Sequence, residues 1–269
     1  MHKDLTYKIN GCLFRVHSQL GNIWEENVYE TALHLELQAQ GLQAECQKKF
    51  QVFYFDKQVG SYRLDILVEG IIIVELKAVP EVVALHKAQL ISYLKGYNKP
   101  LGILANFGGK SLSHQTFPNK LEQKTPLTDT FDFTKVQLKG KEKIRDLLFM
   151  ANRILVTLGV GYFHQIYRRA FYYELKLAGI DFEVIKEVTA TYRNHSLGSI
   201  EVNLFIIGDL LLSVVAVQEL NESVISNFYS CINYLNCNRG LIVNFNAVHL
   251  DYRYFEKNYR GENNYKDSL

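Results

Sequence analysis

Tyr62-Arg63-Leu64-Asp65-Ile66-Leu67-Val68-Glu69-Gly70-Ile71-Ile72-Ile73-Val74-Glu75-Leu76-Lys77-Ala78-Val79 reads as two strands joined by a tight turn. The second strand is apolar without interruption through Val74 and then carries Glu75 and Lys77. Charges at the end of a buried strand are costly unless they are paired or bind a metal. Strand side chains alternate between faces, so Glu75 and Lys77 share one. Whether Asp65 joins them depends on the parity of the turn. A two-residue turn would set Asp65 opposite Val74, on the wrong side. A three-residue loop of Val68, Glu69 and Gly70, with glycine supplying the left-handed position, sets Asp65 opposite Ile73 and diagonal to Glu75. This second arrangement is the one expected.

Two carboxylates beside a lysine in a hairpin suit a hard divalent cation, Mg²⁺ or Mn²⁺, held by oxygen ligands and retaining waters. Such an ion polarises a phosphodiester and acidifies a bound water, while Lys77 orients that water or neutralises developing charge. The same spacing also fits a solvated salt bridge among Asp65, Glu75 and Lys77, with no metal at all.

Working outward, amphipathic helices are expected over about 5–20 and 25–40, the second ended by Gly41. Strands follow near 50–55, 61–68 and 71–79, then a helix at about 82–96 and a strand at 101–106. Helices on the faces of a sheet make an α/β layer architecture.

This order occurs twice. An offset of 138 residues superposes Leu20-Gly21 on Leu158-Gly159, Tyr29 on Tyr167, Gly41 on Gly179, Gly70 on Gly208, and Asn106-Phe107 on Asn244-Phe245, without a gap. About a quarter of the aligned positions are identical, which marks a tandem duplication. Between the copies, Pro118 to about Lys143 reads as a domain tail and linker. The expected organisation is a domain over 1–120, a linker over 121–142 and a second domain over 143–269.

Asp65, nine residues, then Glu75-Leu76-Lys77 resembles the D-x(n)-E-x-K core of the PD-(D/E)XK nuclease superfamily. The surrounding sequence is similar to the small bacterial GxxExxY family: Glu26 and Tyr29 match its naming motif, with Ile23 at the glycine position. The second copy has Gly161 and Tyr167 but His164 in place of the glutamate. Gln89 and Tyr93 resemble the Q-x-x-x-Y motif of RecB-type nucleases, and their spacing puts both on one helix face. The resemblance implies two tandem three-layer α/β/α domains of restriction-endonuclease type, each a mixed sheet flanked by helices. It implies Asp65, Glu75, Lys77, Glu26 and Gln89 as catalytic residues, with Asp65, Glu75 and Glu26 as metal ligands. Gln89 would contact a substrate phosphate or orient Lys77. Glu30, one turn beyond Glu26, is a weaker candidate. The second copy carries Asn203, Ser213, Val215, His164 and Asn227 at the five positions, and is expected to be inert as a metal nuclease.

Composition sets fewer limits. The net charge of +2 favours no partner class, and no signature of a helix-turn-helix, zinc finger or RRM specifies a target. Cys12, Cys46, Cys231 and Cys237 lack the spacing of a zinc or iron–sulfur site and read as buried free thiols. No apolar run is long enough for a membrane span, and Met1-His2-Lys3-Asp4 lacks a signal-peptide layout, so a soluble cytoplasmic protein is expected. The expected function is hydrolysis of nucleic acid by the first domain, DNA or RNA. The repeats would act as an intramolecular pseudo-dimer, and a homo-oligomer is possible. Two alternatives stand beside it: a non-catalytic nucleic-acid-binding or regulatory module, and an interaction protein whose acidic cluster is a salt-bridge network.

Overall fold

Amphipathic periodicity at the start of the chain produces two helices, α1 (Lys3–Leu20) and α2 (Glu26–Ala39), in a computed structural model that describes residues 2–120 and 142–257. Gly41 ends α2 as expected: at φ 74° its N–H donates to the Gln38 carbonyl, while the Leu42 N–H reaches Leu37. Six strands and a helix follow, before a last strand: β1 (Ala44–Cys46), β2 (Lys49–Tyr54), β3 (Lys57–Arg63), β4 (Ile66–Val68), β5 (Ile72–Lys77), α3 (Ala84–Gly96), β6 (Leu101–Asn106) and β7 (Ser113–Pro118). Five of these form a mixed sheet in the order β1-β4-β5-β6-β7, with β5 and β6 parallel and the other pairs antiparallel. Strands β2 and β3 make a separate ribbon.

The two faces of the sheet bury different helices. Ile66, Val74, Leu76 and Ile103 pack with Ile9 and Leu13 of α1 and Leu33 of α2. Leu67, Ile73 and Leu104 pack with Leu90, Tyr93 and Leu94 of α3. Because side chains alternate along β5, Glu75 and Lys77 belong to the α3 face.

The second repeat has the same plan: α4 (Glu142–Leu158), α5 (His164–Leu177), β8 (Glu183–Tyr192), β9 (His195–Ile207), β10 (Leu210–Val215), α6 (Glu222–Tyr234), β11 (Arg239–Asn244) and β12 (Asp251–Glu256), in a five-stranded mixed sheet ordered β12-β11-β10-β9-β8. The fold divides into two compact units: one is mainly the first repeat with Gly161–Phe163, the other mainly the second repeat with Tyr54–Val59. Among the described residues, no helix is long and apolar enough to cross a membrane.

Three expectations need correction. Strands β1, β7 and β12 were not anticipated; β7 and β12 are antiparallel edge strands whose half-exposed faces give a weak periodicity, and β7 runs up to Pro118, where a linker was expected. The strand expected over 61–68 is broken at Leu64-Asp65 into β3 and β4. The hairpin loop is Glu69-Gly70-Ile71, with Val68 paired to Ile72, so extending the register sets Asp65 directly opposite Glu75 instead of diagonal to it. Both Glu69 (φ 52°) and Gly70 (φ 64°) are left-handed, and the Ile71 N–H donates to the Val68 carbonyl. The expected linker over 121–142 falls almost wholly outside the described residues.

What the repeats share is mostly packing. Tyr29 stacks on Phe107 at 4.3 Å and donates from its hydroxyl to the Gly21 carbonyl; Tyr167 stacks on Phe245 at 4.6 Å and donates to Gly159. The Tyr29 hydroxyl also accepts from the Trp24 N–H. The tyrosine of the first motif is therefore a clamp on the turn between the first two helices of each repeat. Tyr29→Phe and Tyr167→Phe, each of which removes a hydrogen bond that is part-buried in the first repeat and buried in the second, are expected to lower stability by about 1–3 kcal/mol in denaturant titrations. A variant as stable as wild type would mean that the hydroxyl is dispensable.

Candidate metal-dependent nuclease site

The break between β3 and β4 is where the site begins. Asp65 leaves the ladder and turns its carboxylate onto the backbone N–H of Leu76, at 2.7 Å. Its own carbonyl accepts from the N–H of Gln47, which is itself left-handed (φ 56°). Strand β5 is buried along its whole length, with Glu75 fully inaccessible and Lys77 8% exposed. Lys77 Nζ lies 2.8 Å from Glu75 Oε1, 2.6 Å from the Leu76 carbonyl and 3.3 Å from Oε1 of Glu26, the first residue of α2. Thus β5, the β3–β4 break and the N-terminus of α2 bring Asp65, Glu75, Lys77 and Glu26 to one place.

The electrostatics follow from burial. Desolvation, reinforced by the charge on Asp65 and opposed by Lys77, pushes Glu75 up to about 8. Asp65 is raised by burial against the pull of the Leu76 N–H and Lys77. Burial alone would lower Lys77, but Glu75, Glu26 and Asp65 together raise it. Glu30 is raised by burial and by Asp65, and accepts a bond from the Gln47 amide.

One oxygen of the cluster, Glu75 Oε2, is buried without a hydrogen-bond partner among the described residues. An orphaned carboxylate oxygen beside a second carboxylate fits a divalent cation, which would replace the missing partner. Among the described residues no three His, Cys, Asp or Glu side chains converge as a ready-made ligand set. Asp65 and Glu75 are the two carboxylates the chain offers together there, a sparse set that would leave a divalent ion most of its waters.

Gln89 lies on α3 beside Tyr93. Its amide donates to the Tyr93 hydroxyl at 2.7 Å, and it makes no bond to Lys77. Tyr93, the second residue of the Q-x-x-x-Y spacing, has its hydroxyl near enough to the carboxylates that burial, Glu75 and Asp65 all raise its pKa. Tyr93 also meets Tyr62 edge to face at 5.3 Å, and Ser92 donates to the Tyr62 hydroxyl. The i, i+4 spacing within α3 is the sequence signal that put Tyr93 on the same face as Gln89.

In the second repeat the hairpin turns on two residues, Gly208 and Asp209, with Ile207 paired to Leu210. That slip of parity is followed by a bulge in β9 at the left-handed Asn203 (φ 53°), whose amide bonds Glu201. Strand β9 runs unbroken past the position where Asp65 interrupts the first copy. Ser213 and Val215 stand where Glu75 and Lys77 stand in the first repeat, against β11 in the same register.

No curated protein matches the chain significantly. Among solved structures, a crystal structure of SSO0001 aligns at 19% identity and a TM-score of 0.29, over 36% of this chain and 51% of that one, so the chain spans about half of that protein's length. The model of the PD-(D/E)XK nuclease superfamily matches twice, over residues 3–117 and again over 141–255. Two matches covering most of the sequence, each on one five-stranded α/β repeat, place the chain in the PD-(D/E)XK nuclease superfamily as a tandem duplication of its domain.

Proposed function

We propose that the chain is a divalent-metal-dependent nuclease that hydrolyses phosphodiester bonds of nucleic acid with its first repeat, residues 1–120, and that the second repeat, residues 143–269, is catalytically inert. The observation that carries this reading is the unpartnered, fully buried Glu75 Oε2 beside Asp65 and Lys77. In a purely structural buried salt bridge the carboxylate oxygens are ordinarily both hydrogen-bonded.

Asp65 and Glu75 would hold the cation, with Glu26 as a further ligand directly or through water. A divalent ion there supplies Lewis-acid stabilisation of the phosphate and lowers the pKa of a water at neutral pH. The chain's own groups do the rest. The Leu76 N–H fixes the Asp65 carboxylate. The Leu76 carbonyl and Glu26 hold the Lys77 ammonium at the mouth of the cluster, where it can meet a phosphate oxygen or orient the attacking water. Gln89 and Tyr93 form a polar pair on α3 that can receive the substrate backbone.

The test is a cleavage screen with Mg²⁺ or Mn²⁺ over labelled single- and double-stranded DNA and RNA. Asp65→Ala and Glu75→Ala are expected to lose all divalent-dependent cleavage, a fall of at least about 100-fold, while remaining folded. Cleavage that survives both substitutions would remove the site from consideration. Calorimetric titration of Mn²⁺ is expected to show loss of binding in Asp65→Ala and no change in Ser213→Ala; the reverse pattern would move the metal site to the second repeat.

The raised Glu75 sets a pH signature. A carboxyl whose pKa rises from 4.5 to about 8 on folding keeps a proton that the unfolded chain releases, so its contribution to stability is present below about 4.5 and is lost as pH climbs through about 8. Glu75→Gln mimics the protonated form at every pH. The stability of this variant relative to wild type is therefore expected to grow from pH 5 to pH 8 without metal, and the gap to shrink when Mn²⁺ takes the place of the proton. Thermal unfolding measures it, and a pH-independent gap would show that Glu75 is not desolvated.

A further inference from the structure

We infer that the second repeat binds an uncharged, largely apolar small molecule in a pocket between α6 and the β8–β9 hairpin. The pocket holds about 880 Å³, within the size range of small-ligand sites. Its floor is Ser213, Val215 and Ile242 of the sheet; its walls include Val188 and Ile200 of the hairpin and Cys231 of α6. None of the described residues that line it is charged. That lining disfavours metal ions, phosphates and nucleic acid, whose charge would be desolvated without compensation. The polar positions are few: Ser213, 7% exposed on the floor, and Asn227 at the rim, whose side chains have no hydrogen-bond partner among the described residues. A ligand with an apolar body and one uncharged hydrogen-bonding end matches that distribution.

The first repeat shows why the space is open. There Phe50, Tyr62 and Tyr93 fill the matching region, with ring centroids 6.0 Å apart for Phe50–Tyr62 and 5.3 Å for Tyr62–Tyr93. At the offset of 138 residues these positions are Val188, Ile200 and Cys231, all smaller. One element closes the end of the pocket: the Tyr234 hydroxyl donates to the Thr189 carbonyl, tying the end of α6 to β8. Leu197 and Ile200 on the hairpin are 67% and 63% exposed beside it, apolar surface that a bound molecule would partly cover.

The probe is Nile red, an uncharged dye that fluoresces in apolar sites, titrated into the full chain. Saturable binding of one dye per chain is expected. Refilling the pocket with the first repeat's own side chains, as Val188→Phe, Ile200→Tyr and Cys231→Tyr together, is expected to weaken binding by about tenfold or more. The single variant Ser199→Trp, at an exposed rim position, does the same should the triple variant fail to fold. A second readout is alkylation of Cys231 by N-ethylmaleimide, which the dye should slow while leaving Cys46 of the first repeat unaffected. The inference is overturned by dye binding that persists in Ser199→Trp, by no saturable binding, or by concentration-dependent self-association that Ser199→Trp abolishes without any dye binding, which would make the groove a contact between copies.

Discussion

Glu75 and Lys77 are buried at the end of a strand whose other residues are apolar, and an ion pair in that position does not stabilise a fold by itself. Desolvating the two charges offsets much of their attraction, and the first repeat supplies several compensations. The Leu76 carbonyl and Glu26 share the ammonium, Asp65 is brought alongside at the cost of a broken β-ladder, and α2 begins where its first residue can reach the cluster. Two departures from regular geometry in the first repeat, the left-handed Gln47 and the Leu64-Asp65 break, lie within this small region. The second repeat, whose strand carries Ser213 and Val215 instead, has a continuous hairpin in the same place. There the irregularity takes another form, the bulge at Asn203.

The two sets of shared and changed residues therefore have different physical origins. Tyr29 and Tyr167 clamp a helix turn, and Asn106 and Asn244 each accept from the backbone N–H of Val79 and Val217. Gly102 and Gly240 lie under helix side chains so closely that a methyl group would meet Leu90 at 2.7 Å or Ile232 at 2.2 Å. These roles are mechanical and independent of catalysis. The charged cluster is different in kind: its groups are held mainly by one another and by the Leu76 backbone.

Much of this was legible in the sequence because it rests on local rules. The repeat offset, the helix end at Gly41 and the shared face of Glu75 and Lys77 follow from periodicity and glycine conformation. The choice of an odd-residue loop was correct in parity but displaced by one residue, since sequence alone does not say whether the loop opens at Val68 or Glu69. The departure of Asp65 from the strand was not legible at all. It depends on a hydrogen bond to Leu76, a residue on a different strand, and on the pull of the cluster against the ladder. Helical spacing identified the shared face of Gln89 and Tyr93 but not the hydrogen bond between them. The short edge strands escaped notice for the ordinary reason that half-solvated strands carry little pattern.

The turn at Gly208-Asp209 bears on the history open to the second repeat. In the first copy three loop residues set the phase of β4 against β5; in the second, two residues set it, and β9 is one step out of phase with its counterpart. Asp209 is further fastened by an ion pair with Arg239 of the neighbouring strand. Three point substitutions at 203, 213 and 215 would thus restore the letters of the motif without restoring its alignment, because a strand slip relocates every side chain it carries. Recovering the lost geometry would take an altered loop and dissolution of the Asn203 bulge at the same time. The change of turn acts as a ratchet: no single substitution carries the second repeat to the geometry of the first.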